Sequence, residues 1–323
     1  MTAYSRKVEM SSKPAAKRPS KQQKHFTKLG LLFVSPWIIG FLLFSVYPIA
    51  SAVYYSLTEY NIFQPPQFVG IKNYIDLFTN RYFSISLGNT MYMAFIGLPI
   101  GLVVALMLAL LLSHEMKGMA FFRTVYYLPT VVPIVASAML FIWLLNGDYG
   151  LLNEGLRRIG IKGPNWLSNP STTKMSLILM DTWRCGQSMI IFLSALKAIP
   201  RSFYEAAELD GAGPVRRFFS ITLPYIGPTI QFNLVIGLIA SFQYFTQAFI
   251  FSSVTSIGSG YQTIGGGPRN SLLFYSLELY RQAFSYLKMG YACAMAIVLF
   301  LIVLVVTMLA MWMMERRISY DVE

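Results

Sequence analysis

Few side chains in this 323-residue chain could do chemistry, and their spacing limits what that chemistry could be. Asp181 and Arg184 stand three apart inside an apolar run, so on one helix face their side chains can meet. Alone, each would cost roughly 2.5–3.5 kcal/mol at the middle of a membrane on insertion scales. Paired and facing protein, they cost less. Three roles stay open for them: a structural ion pair, a wall of a substrate path, or a proton relay. Further on, Asn233, Gly237, Ala240, Tyr244 and Gln247 recur at helical spacing, flanked by Ser241 and Gln243. Polar groups in such a run face protein or a wet cavity. They serve either helix–helix hydrogen bonding or cavity lining. An amide–aromatic–amide row suits a hydroxyl-rich ligand, because amides pair with hydroxyls and a ring stacks on a sugar face.

A third polar group interrupts the apolar pattern: SFYEAAELDGAGPVRRFFSITLP, residues 202–224. Ser202-x-x-Glu205 has capping-box spacing. Pro200 helps end the helix before it. The spacing predicts a short helix from about Phe203 to Leu209, ended by Gly211, which takes the left-handed conformation freely. Gly213-Pro214 then starts a second short helix, and Pro224 precedes the next apolar run. A helix of roughly seven residues is unstable alone in water, so it must dock. Phe203 and Tyr204 offer apolar bulk, while Ala206 and Ala207 permit close approach to a groove. The bilayer surface and a protein partner are both possible docks.

Other chemistry finds no support. No G-x-x-x-x-G-K-[ST] run exists to cradle ATP phosphates. Gly265-Gly266-Gly267-Pro268 lacks the lysine and reads as a turn. Cys185 and Cys293 both sit in apolar runs, which argues against a disulfide framework. His25 and His114 fall in different polar segments, so no metal site is expected. No His, Ser or carboxylate cluster points to an enzyme. The net charge of +12 suggests nucleic acid at first, but the basic residues flank apolar runs and carry topology instead.

The elements that must position these residues are membrane helices. The chain is 55% hydrophobic and only 12% charged, about half the charge of a soluble domain. Residues 1–28 are polar and basic and read as a disordered tail. Apolar runs at about 29–52, 86–112, 124–145, 173–196, 225–251 and 288–314 are long enough to cross a bilayer. The expectation is an all-α integral membrane domain of six transmembrane helices over 29–315, with a short C-terminus at 316–323. Ala50-Ser51-Ala52 resembles a signal cleavage site, but the apolar run before it is too long for a signal sequence. Sixteen Lys and Arg fall on the side of the termini and of 202–224, against nine on the other. Excess positive charge marks the cytoplasmic side, which places both termini and 202–224 in the cytoplasm of a multi-pass cell-membrane protein.

Glu205-Ala206-Ala207, then Asp210-Gly211, then Ile221-Thr222-Leu223-Pro224 is similar to the cytoplasmic "EAA" signature of binding-protein-dependent ABC importer permeases, with the spacing complete. The stretches 35–60, 68–78, 121–133, 205–213 and 265–284 resemble the sugar branch, which includes maltose-type and glycerol-3-phosphate permeases. The chain lacks the extra N-terminal helices and large insertion of the maltose protein. The resemblance implies a type I permease fold with 202–224 as the coupling segment that docks on an ATPase. Its partners would be a second permease subunit, ABC ATPase subunits that bind ATP and magnesium, an extracytoplasmic binding protein and the bilayer, but no nucleic acid. The chain itself would carry no cofactor, and the 265–268 loop would face the binding protein. By the same resemblance the helix of Asn233, Gln243, Tyr244 and Gln247 contributes to the sugar site. Glycerol-3-phosphate is the alternative cargo, and a proton-coupled secondary transporter the alternative class, for which Asp181 is the one carboxylate within the expected membrane helices.

Overall fold

The computed structural model describes residues 21–114, 116–257 and 265–315, in two units, 1–51 and 52–323. The first unit is a helix: α1 (Lys21–Phe41) runs through a π-helical turn (Leu42–Val46) into the start of α2 (Tyr47–Ser56). Its large apolar side chains, Leu32, Phe33 and Phe44 among them, are exposed, as suits a helix surrounded by lipid. Residues 21–28, expected as tail, form the first turns of α1. Lys and Gln are good helix formers, and an apolar helix already nucleated at Leu29 extends through them at little cost. Residues 1–20 and 316–323 lie outside the described residues.

Among its described residues the second unit is mainly helical, with one two-residue ladder, β1 (Thr58–Glu59) antiparallel to β2 (Gln67–Phe68). After α3 (Lys72–Thr79), Asn80 caps α4 (Arg81–Tyr92) by accepting from the Tyr82 N–H at 2.9 Å. A π-helical turn (Met93–Gly97) joins α4 to α5 (Leu98–Ser113), so one continuous helix spans 33 residues. Then come α6 (Met119–Val131) and α7 (Ile134–Leu144), bent by 97° where Pro133 withholds a backbone donor. α8 (Leu151–Arg158) leads to α9 (Pro170–Trp183) and α10 (Gly186–Lys197). The interrupting segment holds α11 (Arg201–Leu209), α12 (Pro214–Arg217), a π-helical turn (Phe218–Thr222) and α13 (Leu223–Tyr225). α14 (Gly227–Phe242), α15 (Thr246–Ile257), α16 (Tyr275–Tyr280) and α17 (Met289–Glu315) complete the chain.

All six expected apolar runs are helical, but not all are single helices. Three are long and apolar enough to cross alone, Leu29–Ser56, Arg81–Ser113 and Met289–Met314, and two bent pairs bring the number to five. The expected run 173–196 is divided between α9 and α10, of 14 and 12 residues, with the break at Arg184 and Cys185. At 1.5 Å per residue neither half reaches across the roughly 30 Å apolar layer. Two cores position the site. Ala105 and Ala109 of α5 let it lie close to Met189, Phe192 and Leu193 of α10. A larger core joins Phe141 of α7, Leu177 and Met180 of α9, Tyr244, Phe251 of α15 and Phe274.

Candidate functional site

α5, α9, α10, α14 and the start of α15 line an open-sided cavity of about 290 Å³ at the level of the helix breaks. Asp181, Arg184, Gln187 and Ser188 line it from α9 and α10, and Gly237, Ala240, Ser241, Tyr244 and Gln247 line the opposite wall. The Tyr244 hydroxyl donates to Asp181 Oδ2 at 2.8 Å, and the Gln247 side chain lies beside the same carboxylate. Gly237 sets the spacing of the wall: a Cβ there would overlap the Leu98 side chain of α5.

The expected Asp181–Arg184 ion pair is not formed. Arg184 turns away, and its Nη1 donates to Pro129 O at 3.3 Å, Val132 O at 2.5 Å and Ser137 Oγ at 2.6 Å. α9 ends at Trp183, and Arg184 has φ −92° and ψ 12°, so the helical i, i+3 geometry that would join the two residues stops one position short. The guanidinium instead satisfies carbonyls that Pro133 leaves open at the α6–α7 bend. Thr130 Oγ1 donates to Arg184 O at 3.3 Å, and a Cβ on Gly186 would lie 2.6 Å from Thr130 Oγ1. Two helix breaks are thus locked against each other.

Of the residues expected along one stripe, Tyr244 and Gln247 reach the cavity, while Asn233 and Gln243 do not. Asn233 is buried, and its amide bonds Thr229 O of its own helix at 3.0 Å. Gln243 is exposed where the helix breaks between α14 and α15. Gln187 and Ser188 were not singled out from the sequence, although RCGQS is the one polar cluster inside that apolar run. Glu278 was also missed. It is buried on α16, 3.2 Å from Arg281 but off-angle for a hydrogen bond, and accepts from Gln282 Nε2 at 2.6 Å. Burial pushes its carboxyl above the usual range, and the Gln282 bond and the Arg281 charge pull it partly back. The glycine run before Pro268 is a turn, as expected, with Gly267 at φ +71°.

The interrupting segment forms a second candidate site. α11 starts at Arg201, two residues earlier than expected, with Pro200 at the N-cap position and no side-chain cap. Ser202 therefore lies within the first turn and the capping box with Glu205 is absent. The other end follows the sequence closely. Gly211 has φ +74°, its N–H donates to Glu208 O at 3.0 Å, and the Ala212 N–H donates to Ala207 O at 2.8 Å. That pair of bonds is a Schellman cap with Asp210 as the last residue before the turn. Tyr204 and Thr222 share a 2.8 Å hydrogen bond, and Arg217 pairs with Glu208 at 3.4 Å, so the segment folds back on itself. Glu205, Ala206 and Leu209 stay exposed, Leu209 at 90%, and Pro224 precedes α14 on the same surface stretch. Among the described residues Glu205 makes no ion pair.

The model of the binding-protein-dependent transport system inner membrane component family matches residues 97–320. The probable ABC transporter permease protein YesP of Bacillus subtilis (strain 168) is 39% identical over 309 residues, 95% of this chain and 96% of that protein. The sn-glycerol-3-phosphate transport system permease protein UgpA of Yersinia pestis bv. Antiqua (strain Antiqua) is 31% identical over 305 residues, 94% and 99% of the two chains. The sulfoquinovosyl glycerol transport system permease protein SmoG of Agrobacterium fabrum is 32% identical over 282 residues, 86% and 88% of the two. Among solved structures, a chain of a bacterial alginate ABC transporter in complex with an alginate pentasaccharide-bound periplasmic protein is 26% identical, with a TM-score of 0.74 over 92% of this chain and 98% of that one. The chain belongs to the binding-protein-dependent transport system inner membrane components, and is a multi-pass permease subunit of an ABC importer, a transport subunit rather than an enzyme.

Proposed function

We propose that the chain forms one half of a heterodimeric pore that passes a sugar or oligosaccharide from an extracytoplasmic binding protein to the cytoplasm. The observation that carries the cargo class is the cavity wall: the Tyr244 ring and hydroxyl beside the Gln187 and Gln247 amides and the Ser188 and Ser241 hydroxyls. Those groups suit an array of ligand hydroxyls and leave room for a sugar ring. The names of relatives support the class, since they refer to glycerol-3-phosphate, sulfoquinovosyl glycerol and alginate. The energy comes from ATPase subunits that bind ATP with magnesium. Their closure pulls on the exposed face of α11, and segment 202–224 passes the movement to α14, which carries Tyr244's wall of the cavity. Positive charge supports a cytoplasmic position for this segment and for both termini.

Glycerol-3-phosphate is the second reading, favoured by the 31% identity to that permease and by the presence of Arg184 in the cavity lining. Against it, Arg184 Nη1 is committed to three acceptors and Asp181 shares the cavity. A proton-coupled secondary transporter does not fit a chain of this family. The test is uptake by the reconstituted complex. Tyr244→Ala and Gln247→Ala are each expected to lower uptake at least about tenfold, the equivalent of one lost hydrogen bond to ligand. Subunit assembly and sugar binding by the binding protein stay unchanged. Normal uptake in both variants rejects the cavity as the path.

A further inference from the structure

Loops run over the surface because a buried loop leaves backbone polar groups unpaired. The segment that leads into α16 is buried all the same: Leu272, Leu273, Phe274 and Tyr275 are each 0% exposed. α4 supplies the bonds that permit it. The Asn89 amide, itself buried, donates to Asn270 O and to Leu273 O, both at 2.8 Å. Thr90 Oγ1 accepts from the Tyr275 N–H at 3.0 Å. Beside these anchors Arg269 and Asn270 are held at φ 50° and 60°, a conformation that residues other than glycine keep only where their surroundings impose it. The turn Pro268–Asn270 lies against α9.

The same segment is fixed to the cargo cavity. The Phe274 ring lies 5.1 Å from the Tyr244 ring, centre to centre, and Tyr244 in turn donates to Asp181. The Ser276 hydroxyl donates at 3.2 Å to the carbonyl of Phe242, the last residue of α14 before the break that carries Tyr244. Met93 and Ile178 of the cavity wall share a core with Leu272 and Phe274, an apolar layer over one end of the cavity. We propose that residues 266–275 are the outer lid of this cavity, with Asn89 as its catch and Phe274 as the positioning residue that sets Tyr244. The inference rests on the reading of the cavity as the cargo path and of 202–224 as cytoplasmic. Cargo handed over on the outer side meets this layer first. Lifting the segment takes Phe274 off Tyr244 and Ser276 off the end of α14, so opening the lid and rearranging the sugar-facing wall are one movement.

Cys185 lines the cavity and reports on access to it. The experiment uses the assembled complex with Cys293→Ser as the parent, in right-side-out and inside-out membrane vesicles. It measures the rate at which a membrane-impermeant maleimide alkylates Cys185. Loaded binding protein outside, with ATP trapped inside, should raise outer-side labelling in the parent. At rest, Asn89→Leu and Phe274→Ala should each raise outer-side labelling by about tenfold, the change in an opening equilibrium when two buried hydrogen bonds or a comparable apolar contact are lost. Labelling from the cytoplasmic side should stay unchanged, whereas general loosening raises both. Phe274→Leu, which keeps the layer apolar, should restore protection. Outer-side labelling at rest that is equal in the parent and both variants, or a rise on both sides alike, overturns the lid. If loaded binding protein and ATP leave the parent unchanged, the cavity is not the path and the lid falls with it. The failure of the path is thus read in the parent, and the failure of the lid alone in the variants.

Discussion

At the scale of the residue, Asp181 and Arg184 do separate jobs. Asp181 accepts from Tyr244 across the cavity, and Arg184 closes the carbonyls of the α6–α7 bend. Substitution distinguishes this from an ion pair. Asp181→Asn keeps an oxygen that can accept from Tyr244, so the thermal midpoint of the purified complex should change little. Arg184→Gln cannot span the same acceptors and leaves buried carbonyls open, at a cost of about 1–3 kcal/mol each. Its midpoint should fall by several degrees. Equal losses in the two variants would restore the ion pair. The sequence made both residues conspicuous, because charge is rare in an apolar run. It could not give their partners. Spacing of three fixes a contact only while the helix continues, and this helix stops at Trp183.

At the scale of the element, the coupling segment was legible at one end and not at the other. A glycine demands a left-handed turn by its own chemistry, and Gly211 makes one at φ +74°. A capping box is only a spacing. Here the chain turns at Pro200, whose φ −61° and ψ 134° already set the entry into the helix, and Ser202 falls inside. Ser202→Ala should therefore leave stability within about 0.5 kcal/mol, where loss of a real N-cap costs roughly 1 kcal/mol. Gly211→Val should cost more, about 1–2 kcal/mol, because a β-branched residue resists positive φ. Chemical denaturation of the two purified variants checks both figures, and a larger loss from Ser202→Ala would mean that the side chain caps the helix after all. The polar stripe was legible over most of its length: Gly237, Ala240, Ser241, Tyr244 and Gln247 line the cavity, while Asn233 bonds its own helix and Gln243 is exposed. The helix breaks between Phe242 and Thr246, and Tyr244 and Gln247 still reach the cavity on the far side of the break.

At the scale of the whole molecule, the class was legible because hydropathy and the Glu205-to-Pro224 signature are both long-range patterns that tolerate local breaks. What remains to be tested is the joint with the ATPase. α11 offers Glu205, Ala206 and Leu209 outward, while Glu208 is held by Arg217. With no capping box in the way, Glu205 has one charge-bearing role left, an ion pair in the partner's cleft. Glu205→Gln keeps size and helix propensity and removes only the charge. An exposed ion pair contributes about 0–1 kcal/mol, whereas breaking one desolvated in a docked cleft costs on the order of 2–5 kcal/mol. The variant complex should thus retain its ATPase subunits at least about thirtyfold less tightly, with ATP hydrolysis no longer stimulated by loaded binding protein. Subunit retention through gel filtration and sugar-stimulated hydrolysis measure the two effects independently. Wild-type values for both would assign the docking to the apolar residues Phe203 and Leu209 and remove the charge from the joint.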